Sequence, residues 1–400
     1  MKTLFGTFCV VLPVIALSQT ETWPGSESVE IVDKVAEFGE NLSGLVYDGN
    51  ITDNERNILW AVQNNPSTLY KLLWNKDDQI WTSDTKNGWD NGKMLKWMDG
   101  TGNPDTEDLV IPAVIRSQLQ QSEKSKLQRS EGVSLSDIYM CTERNDVDGE
   151  DGISRMSILR FATDTLDSTA VFAASGSGSG SKKKKKKKKK KSTHSIVAAQ
   201  EWKLNDKLPV VGDNLGLEGI TWIPDQHLVE QGFVDQSTGG PYDPSMYPAH
   251  NAGVFVVGLE NNGVAYLFVL NEEDSSSTLI GSFNSDQGYI MSLHYDAANR
   301  YLWTLCDNTC DTVTQTVFGL KYGSFDVLRS YSSPNPISGM NIEGFTMTPE
   351  SLCTPQPQQS EPEDSSSNDD ALFKPVFWAD DGNDMGHSIR QGTVPCGQFL

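Results

Sequence analysis

Five times along the chain a short strand-like run, with a small or acidic residue just before or inside it, is answered by an apolar run that ends in acids and amides. The openings are Leu42-Ser43-Gly44-Leu45-Val46-Tyr47, Glu107-Asp108-Leu109-Val110-Ile111, Leu217-Glu218-Gly219-Ile220-Thr221-Trp222, Met291-Ser292-Leu293-His294-Tyr295 and Ile342-Glu343-Gly344-Phe345-Thr346-Met347. The answers are Ile58 to Val62 before Gln63-Asn64-Asn65, Ile138 to Cys141 before Glu143-Arg144-Asn145-Asp146, and Val254 to Val257 before Glu260-Asn261-Asn262. Leu302 to Leu305 before Asp307-Asn308 and Val376 to Trp378 before Asp380-Asp381 complete the set. A repeat of roughly 50–70 residues built from short strands is the mark of a β-propeller, whose equivalent strand ends emerge on one face. The pattern predicts an all-β chain of five blades, with six as the alternative. The polar endings should then converge on one ring.

The remaining strand signals fit this frame. Leu42 to Tyr47, Ile58 to Val62, Leu69 to Trp74 and Ile80 to Ser83 give one complete blade. Gly102-Asn103-Pro104 reads as a turn into the second repeat, whose strands are Leu109 to Val114, Ile138 to Cys141 and Met156 to Phe161, with Arg116 to Gly132 inserted between the first two. The third repeat runs from Gly216 to Phe283, the fourth from Tyr289 to Tyr331, the fifth from Asn341 to Val394. Gln231 to His250 reads as a Gly/Pro/Tyr loop. A strand over Val29 to Phe38 has no repeat of its own and is expected to complete the last blade, removing an exposed sheet edge.

The first residues read as a secretory signal over 1–18: Lys2, an apolar stretch from Leu4 to Leu17, and a small-residue exit at Ala16-Leu17-Ser18. That leaves one propeller domain over 24–400. No other segment approaches the ~20 apolar residues of a membrane span. Secretion gives meaning to the sequons at Asn41 and Asn50. It also gives meaning to the cysteines, because five remain once Cys9 leaves with the signal. Cys306 with Cys310 could clip one turn, Cys353 with Cys396 could join strands of the last repeat, and Cys141 is left over.

The chain carries 32 basic and 54 acidic residues, a net charge of −22. Lys182 to Lys191 form one run, and the folded body without it is more acidic still. Such a body repels nucleic acid and gathers cations. The lysine run follows a Gly/Ser tract, and 175–192 reads as a solvated insertion that attracts polyanions or has no partner. A second insertion, 356–370, is acidic and rich in Ser and Pro. The expected state is a monomer.

Glu107 or Asp108, Glu218 and Glu343 recur near the starts of innermost strands. Converging carboxylates raise one another's pKa unless a cation neutralises them, and hard oxygen ligands favour calcium. The alternative is that each acid binds backbone amides of the adjacent blade. The loop Asp146-Val147-Asp148-Gly149-Glu150-Asp151-Gly152 is either a metal site or a solvated turn. It departs from the EF-hand pattern at Asp151 and Ser157. Asp380 and Asp381, in Asp380-Asp381-Gly382-Asn383-Asp384, hold the matching place in the last repeat. No histidine pair has metal spacing and there is no Gly-x-Ser-x-Gly elbow. His294 reads as a core or channel residue, and His387 is the one candidate for a catalytic base.

Asn41 to Asp48, Leu59 to Asn65 and Leu69 to Leu72 resemble the first blade of the SdiA-regulated proteins and of the "esterase-like activity of phytase" propellers. Asp105 to Leu109, Gly216 to Ile220, Asn341 to Phe345 and Trp378 to Asn383 extend the resemblance over most of 40–395. It implies a secreted or periplasmic propeller that binds calcium. Two functions follow. One is a calcium-dependent hydrolase of phosphate or carboxylic esters acting on a small-molecule or polyanionic substrate. The other is a non-catalytic propeller that binds cations, glycans or matrix.

Overall fold

Five β-sheet units of four to six strands stand around one axis in the computed structural model, which describes residues 20–49, 57–119, 136–147, 150–166, 194–355 and 371–397. The signal segment, Asn50, Asp148 and both insertions (175–192 and 356–370) lie outside these residues. Blade one comprises Leu42–Gly49, Asn57–Gln63 and Thr68–Asn75, its outer edge divided between Ile80–Ser83 and Lys93–Lys96. Blade two is Asn103–Val110, Ile138–Val147, Glu150–Phe161 and Gln200–Lys203. Blade three is Leu217–Pro224, Gly253–Leu259, Val264–Leu270 and Ser277–Asn284. Blade four is Ser292–Asp296, Tyr301–Cys306, Thr314–Lys321 and Ser324–Ser332. Blade five is Ile342–Met347, Leu372–Asp380 and Ile389–Pro395. The innermost strands touch in circular order, one to two and onward until five meets one. The count is therefore five, not six.

Inner strands in this arrangement are covered on both faces. Leu217–Pro224 and Gly253–Leu259 are buried at every position, which is why they read as unbroken apolar runs rather than alternating ones. The core lies between the blades and is rich in tryptophan, with Trp81, Trp89, Trp97, Trp202, Trp222, Trp303 and Trp378 all buried.

The N-terminal segment closes the ring, but with a shorter strand than Val29 to Phe38. Glu21 bridges Tyr331 of blade four, and Trp23 packs between Trp303 and Trp378 while its Nε1 donates to the Thr393 carbonyl at 2.8 Å. Glu30–Ile31 then pairs with Gln391 and Arg390 as the fourth strand of blade five. Beyond it the Trp81 amide donates to the Val32 carbonyl at 2.7 Å, reaching blade one. From Glu21 to Val32 the strap crosses three blades in twelve residues.

Two expectations in blade two are corrected. Asn103 and Pro104 belong to the inner strand rather than to a turn, and the strand ends at Val110. Pro112 follows, starting a helix over Pro112–Ser117 in place of the expected strand end. Proline fixes a helical φ and needs no amide partner in a first turn. Val114 and Ile115 of this helix cover one end of the axis, lining a small cavity with Val46, Thr221, His294 and Thr346. The Gln231 to His250 loop carries a two-residue ladder, Val234–Asp235 with Gly240–Pro241.

Before the last strand of blade two the chain returns to blade one: Ser195–Val197 runs parallel to Lys93–Lys96. Lys93 Nζ donates to the Leu166 carbonyl, and the Met94 amide donates to the His194 carbonyl at 3.0 Å. Disulfides join Cys306 to Cys310 and Cys353 to Cys396, and Cys141 is a buried free thiol.

Candidate functional site: an acidic cluster on the propeller axis

One backbone irregularity sets the geometry of the axis. The ladder between first and second strands slips between Leu42 and Gly44, between Leu217 and Gly219, and between Ile342 and Gly344. Blade two slips between Thr106 and Leu109. A bulge turns its extra residue out of the pleat and re-aims the side chain. The extra residues are Ser43, Glu107, Glu218 and Glu343. Blade four has no such slip, and its Met291 packs into the core beside Trp23 and Trp303.

In blades one, three and five the next residue is glycine because inner strands approach closely there. A Cβ on Gly44 would lie 2.6 Å from Asp108 Cα, and one on Gly344 2.3 Å from the Ser43 carbonyl oxygen. Asp108 fills this level in blade two. Its carboxylate accepts the amides of Leu109 at 2.8 Å and Ile220 at 3.2 Å, and the Ser292 hydroxyl at 3.1 Å. Asp108 is therefore removed from the expected ligand set. Its oxygens tie blades two, three and four, and burial pushes its carboxyl well above the usual range.

Above this plug the acids gather. Oxygens of Glu107, Glu218 and Glu343 lie within 4.8 Å of one another, and so do those of Glu143, Glu218 and Glu260, and those of Asp105, Glu107 and Glu143. Glu143, within Ile138–Val147, and Glu260, just past Gly253–Leu259, hold equivalent register positions along second strands, matching Asn64, Asp307 and Asp381, one per blade. The expected convergence of strand ends is thus an observed arrangement. Asp105, Glu143 and Glu260 were not singled out from sequence, although Glu143 and Glu260 head the polar endings of their runs.

Several of these carboxylates are held. Glu107 accepts from the Ser43 hydroxyl at 3.1 Å and Asn64 Nδ2 at 2.9 Å, both in blade one. Glu143 accepts the Gly216 amide at 2.7 Å. Arg144 places Nε 2.7 Å from Asp105 and Nη1 3.4 Å from Glu143. Asn341 Nδ2 donates to Glu343 and to Asp381, at 3.0 Å each. Glu218, 6% exposed, receives no hydrogen bond and no cation from the described residues. Oε2 of Glu260, Oε2 of Glu343, Oδ1 of Asn64 and Oδ1 of Asp381 are buried without a hydrogen-bond partner among those residues.

Like charges 4.8 Å apart repel by about 3 kcal/mol at the effective dielectric of a protein site. Burial first, then Asp105, Glu143 and Glu343, push the Glu107 carboxyl well above its usual range. Burial with Glu107, Glu143, Glu343 and Glu260 does the same to Glu218. Burial with Asp381 and Asp307 raises Glu343, and burial with Glu143 and Asp307 pushes Glu260 up to about 7. The donors are oxygens alone, which suits a hard divalent cation. Calcium at about 2.3–2.6 Å from each ligand spans oxygens up to ~5 Å apart, so each triad falls within its reach.

Comparison with protein-family models and with curated proteins finds no match. Among solved structures, the chain is similar to β-fructofuranosidase from Schwanniomyces occidentalis bound to fructosyl-erythritol, at 10% identity and a TM-score of 0.39, covering 95% of this chain and 59% of that one. It is similar to Sqt1 from Saccharomyces cerevisiae at 10% identity and a TM-score of 0.32, covering 89% and 60%. A chain of a mitotic checkpoint complex gives 8% identity and a TM-score of 0.34, covering 98% of each. This chain thus spans about 60% of the length of the first two.

Other expected site residues are placed elsewhere. Asp380 Oδ1 accepts the Gly382 amide at 3.1 Å and Oδ2 the Asp384 amide at 2.8 Å, with Arg390 Nη2 at 3.5 Å, so it caps its own turn and leaves only Asp381 beside the cluster. His387 Nδ1 faces Asp33 at 3.3 Å, which fastens the N-terminal strap rather than the axis. Asn41 Nδ2, the atom a glycan would modify, donates to the Asn65 carbonyl at 2.8 Å. Asp146 lies on the strand Ile138–Val147, paired with Asn103. His294 lies on the far side of the Asp108 plug, where burial lowers its pKa to about 4.

Proposed function

We propose that the protein is a secreted, calcium-dependent β-propeller of the SdiA-regulated and phytase-esterase-like type, acting on phosphate or carboxylic esters at its acidic axial face. The observation that carries this is Glu218, buried and without a protein partner among Glu107, Glu143, Glu260 and Glu343. An isolated buried carboxylate costs several kcal/mol unless it is protonated or matched by a cation. Calcium bound there would supply positive charge to a substrate oxygen. The chain's own residues prepare the place: Ser43 and Asn64 orient Glu107, Gly216 orients Glu143, and Asn341 orients Glu343. Two disulfides are consistent with an oxidising compartment. No helix among the described residues is long and apolar enough to cross a membrane. Lys182 to Lys191 would attract a polyanionic partner.

A non-catalytic, cation-dependent binding role is the second reading. It is favoured by the histidines, whose hydrogen bonds go to Tyr295, Asp225 and Asp33 rather than to the cluster. Turnover of p-nitrophenyl phosphate and p-nitrophenyl acetate, with calcium and with chelator, separates the two. Calcium-dependent turnover lost in Glu218→Gln supports the hydrolase. Calcium binding with no turnover of either ester leaves the binding role. A chain that binds no calcium rejects both.

A further inference from the structure

We propose that the axial cluster holds two divalent cations, with Glu218 as the carboxylate they share. This rests on the calcium reading above and extends it. Glu107, Glu218 and Glu343 form one triad and Glu143, Glu218 and Glu260 another, each with its oxygens within 4.8 Å; Glu218 is the one residue common to both. No grouping places Glu260 with Glu343 or Glu107 in a single sphere. One ion at about 2.3–2.6 Å from its ligands therefore cannot serve both triads. A carboxylate has two oxygens, so Glu218 can give one to each.

The third triad, Asp105, Glu107 and Glu143, already has a cation of its own: Arg144 stands against Asp105 and Glu143. Of the two triads that contain Glu218, Arg144 touches only Glu143, at 3.4 Å, and Glu107, Glu218, Glu260 and Glu343 have no ion pair among the described residues. Each of these two triads also ends in an unmatched oxygen, Glu343 Oε2 in one and Glu260 Oε2 in the other, both buried and without a hydrogen-bond partner among the described residues. A single ion would satisfy one of these oxygens and leave its counterpart buried without compensation.

The two positions differ in what they join. The inner one draws ligands from blades two, three and five and ties inner strands across the axis. The outer one takes Glu143 and Glu260 from the second strands of blades two and three, one strand further from the axis.

Calorimetric titration and native mass spectrometry of the mature full chain with calcium test this. The expected stoichiometry is two per chain, falling to one in Glu260→Gln and to one in Glu343→Gln, while Glu218→Gln weakens both steps about tenfold or more. One calcium per chain, unaltered by Glu260→Gln, overturns the shared-ligand arrangement but leaves the calcium reading intact. Absence of any calcium binding overturns both. The wild-type stoichiometry decides the matter even where Glu218→Gln fails to fold.

Discussion

The Asp108 carboxylate of blade two accepts the backbone amide of Ile220 in blade three at 3.2 Å, and its other bonds reach Leu109 and Ser292. One side chain thus closes the axis beneath the acidic cluster. Asp108→Ala would leave buried amides unpaired, a loss of roughly 3 kcal/mol or more. Urea unfolding should show that loss, with a smaller one for Asp108→Asn, which keeps an acceptor oxygen. Calcium stoichiometry of the folded Asn variant should be unchanged. A changed stoichiometry would return Asp108 to the ligand set.

Trp23 is 4% exposed, with Trp378 at 5.5 Å and Trp303 at 6.3 Å between ring centroids. Trp23→Ala removes the anchor of the closing strap and is expected to cost about 3–5 kcal/mol. Hydrogen exchange should then quicken first along Ile389–Pro395. Exchange that quickens evenly over all five blades speaks against a local closing role.

The disulfides enclose very different lengths of chain. Cys353 and Cys396 are 43 residues apart, Cys306 and Cys310 only 4. Loop-closure entropy assigns about 4 kcal/mol to the long bridge and about 2 kcal/mol to the short one. Paired Cys→Ser variants compared in guanidinium should keep that order, and the reverse order would refute the entropic account.

His250 places Nε2 2.7 Å from Asp225. Burial pulls its pKa down, but the hydrogen bond and charge of Asp225, with the Tyr247 carbonyl, outweigh burial and hold the imidazole above its ordinary 6.5. A histidine raised in the folded state stabilises fully below the unfolded value, and that contribution is lost as pH rises through the folded one. An NMR titration should place the His250 midpoint above 6.5 and show it falling in Asp225→Asn. A wild-type midpoint at or below 6.5 contradicts the pairing.

The blades were legible because inner strands are covered on both faces, so Val254 to Val257 and Leu302 to Leu305 stand out as apolar runs. Convergence of strand ends followed from the repeat alone. Bulges were not legible, since a slip of register leaves no residue type behind it. Glu107 and Asp108 therefore looked interchangeable, although one matches Glu218 and the other matches Gly219. Acid-rich turns misled for a related reason: Asp380 spends its oxygens on the Gly382 and Asp384 amides, and composition does not show where a carboxylate points. Pro112 was the overlooked signal against extending the second inner strand to Val114. His387 faces Asp33, 354 residues away, a relation no local pattern contains.

Leu166 and His194 are both moored to one short strand, through the consecutive residues Lys93 and Met94. Whatever chain lies between them departs from and rejoins the rim at a single berth. Its length and composition can drift, or be exchanged for a fluorescent reporter or an affinity handle, without altering how the ring shuts. The polylysine stretch is in that sense a detachable accessory, and a variant lacking it should keep the axial chemistry whole.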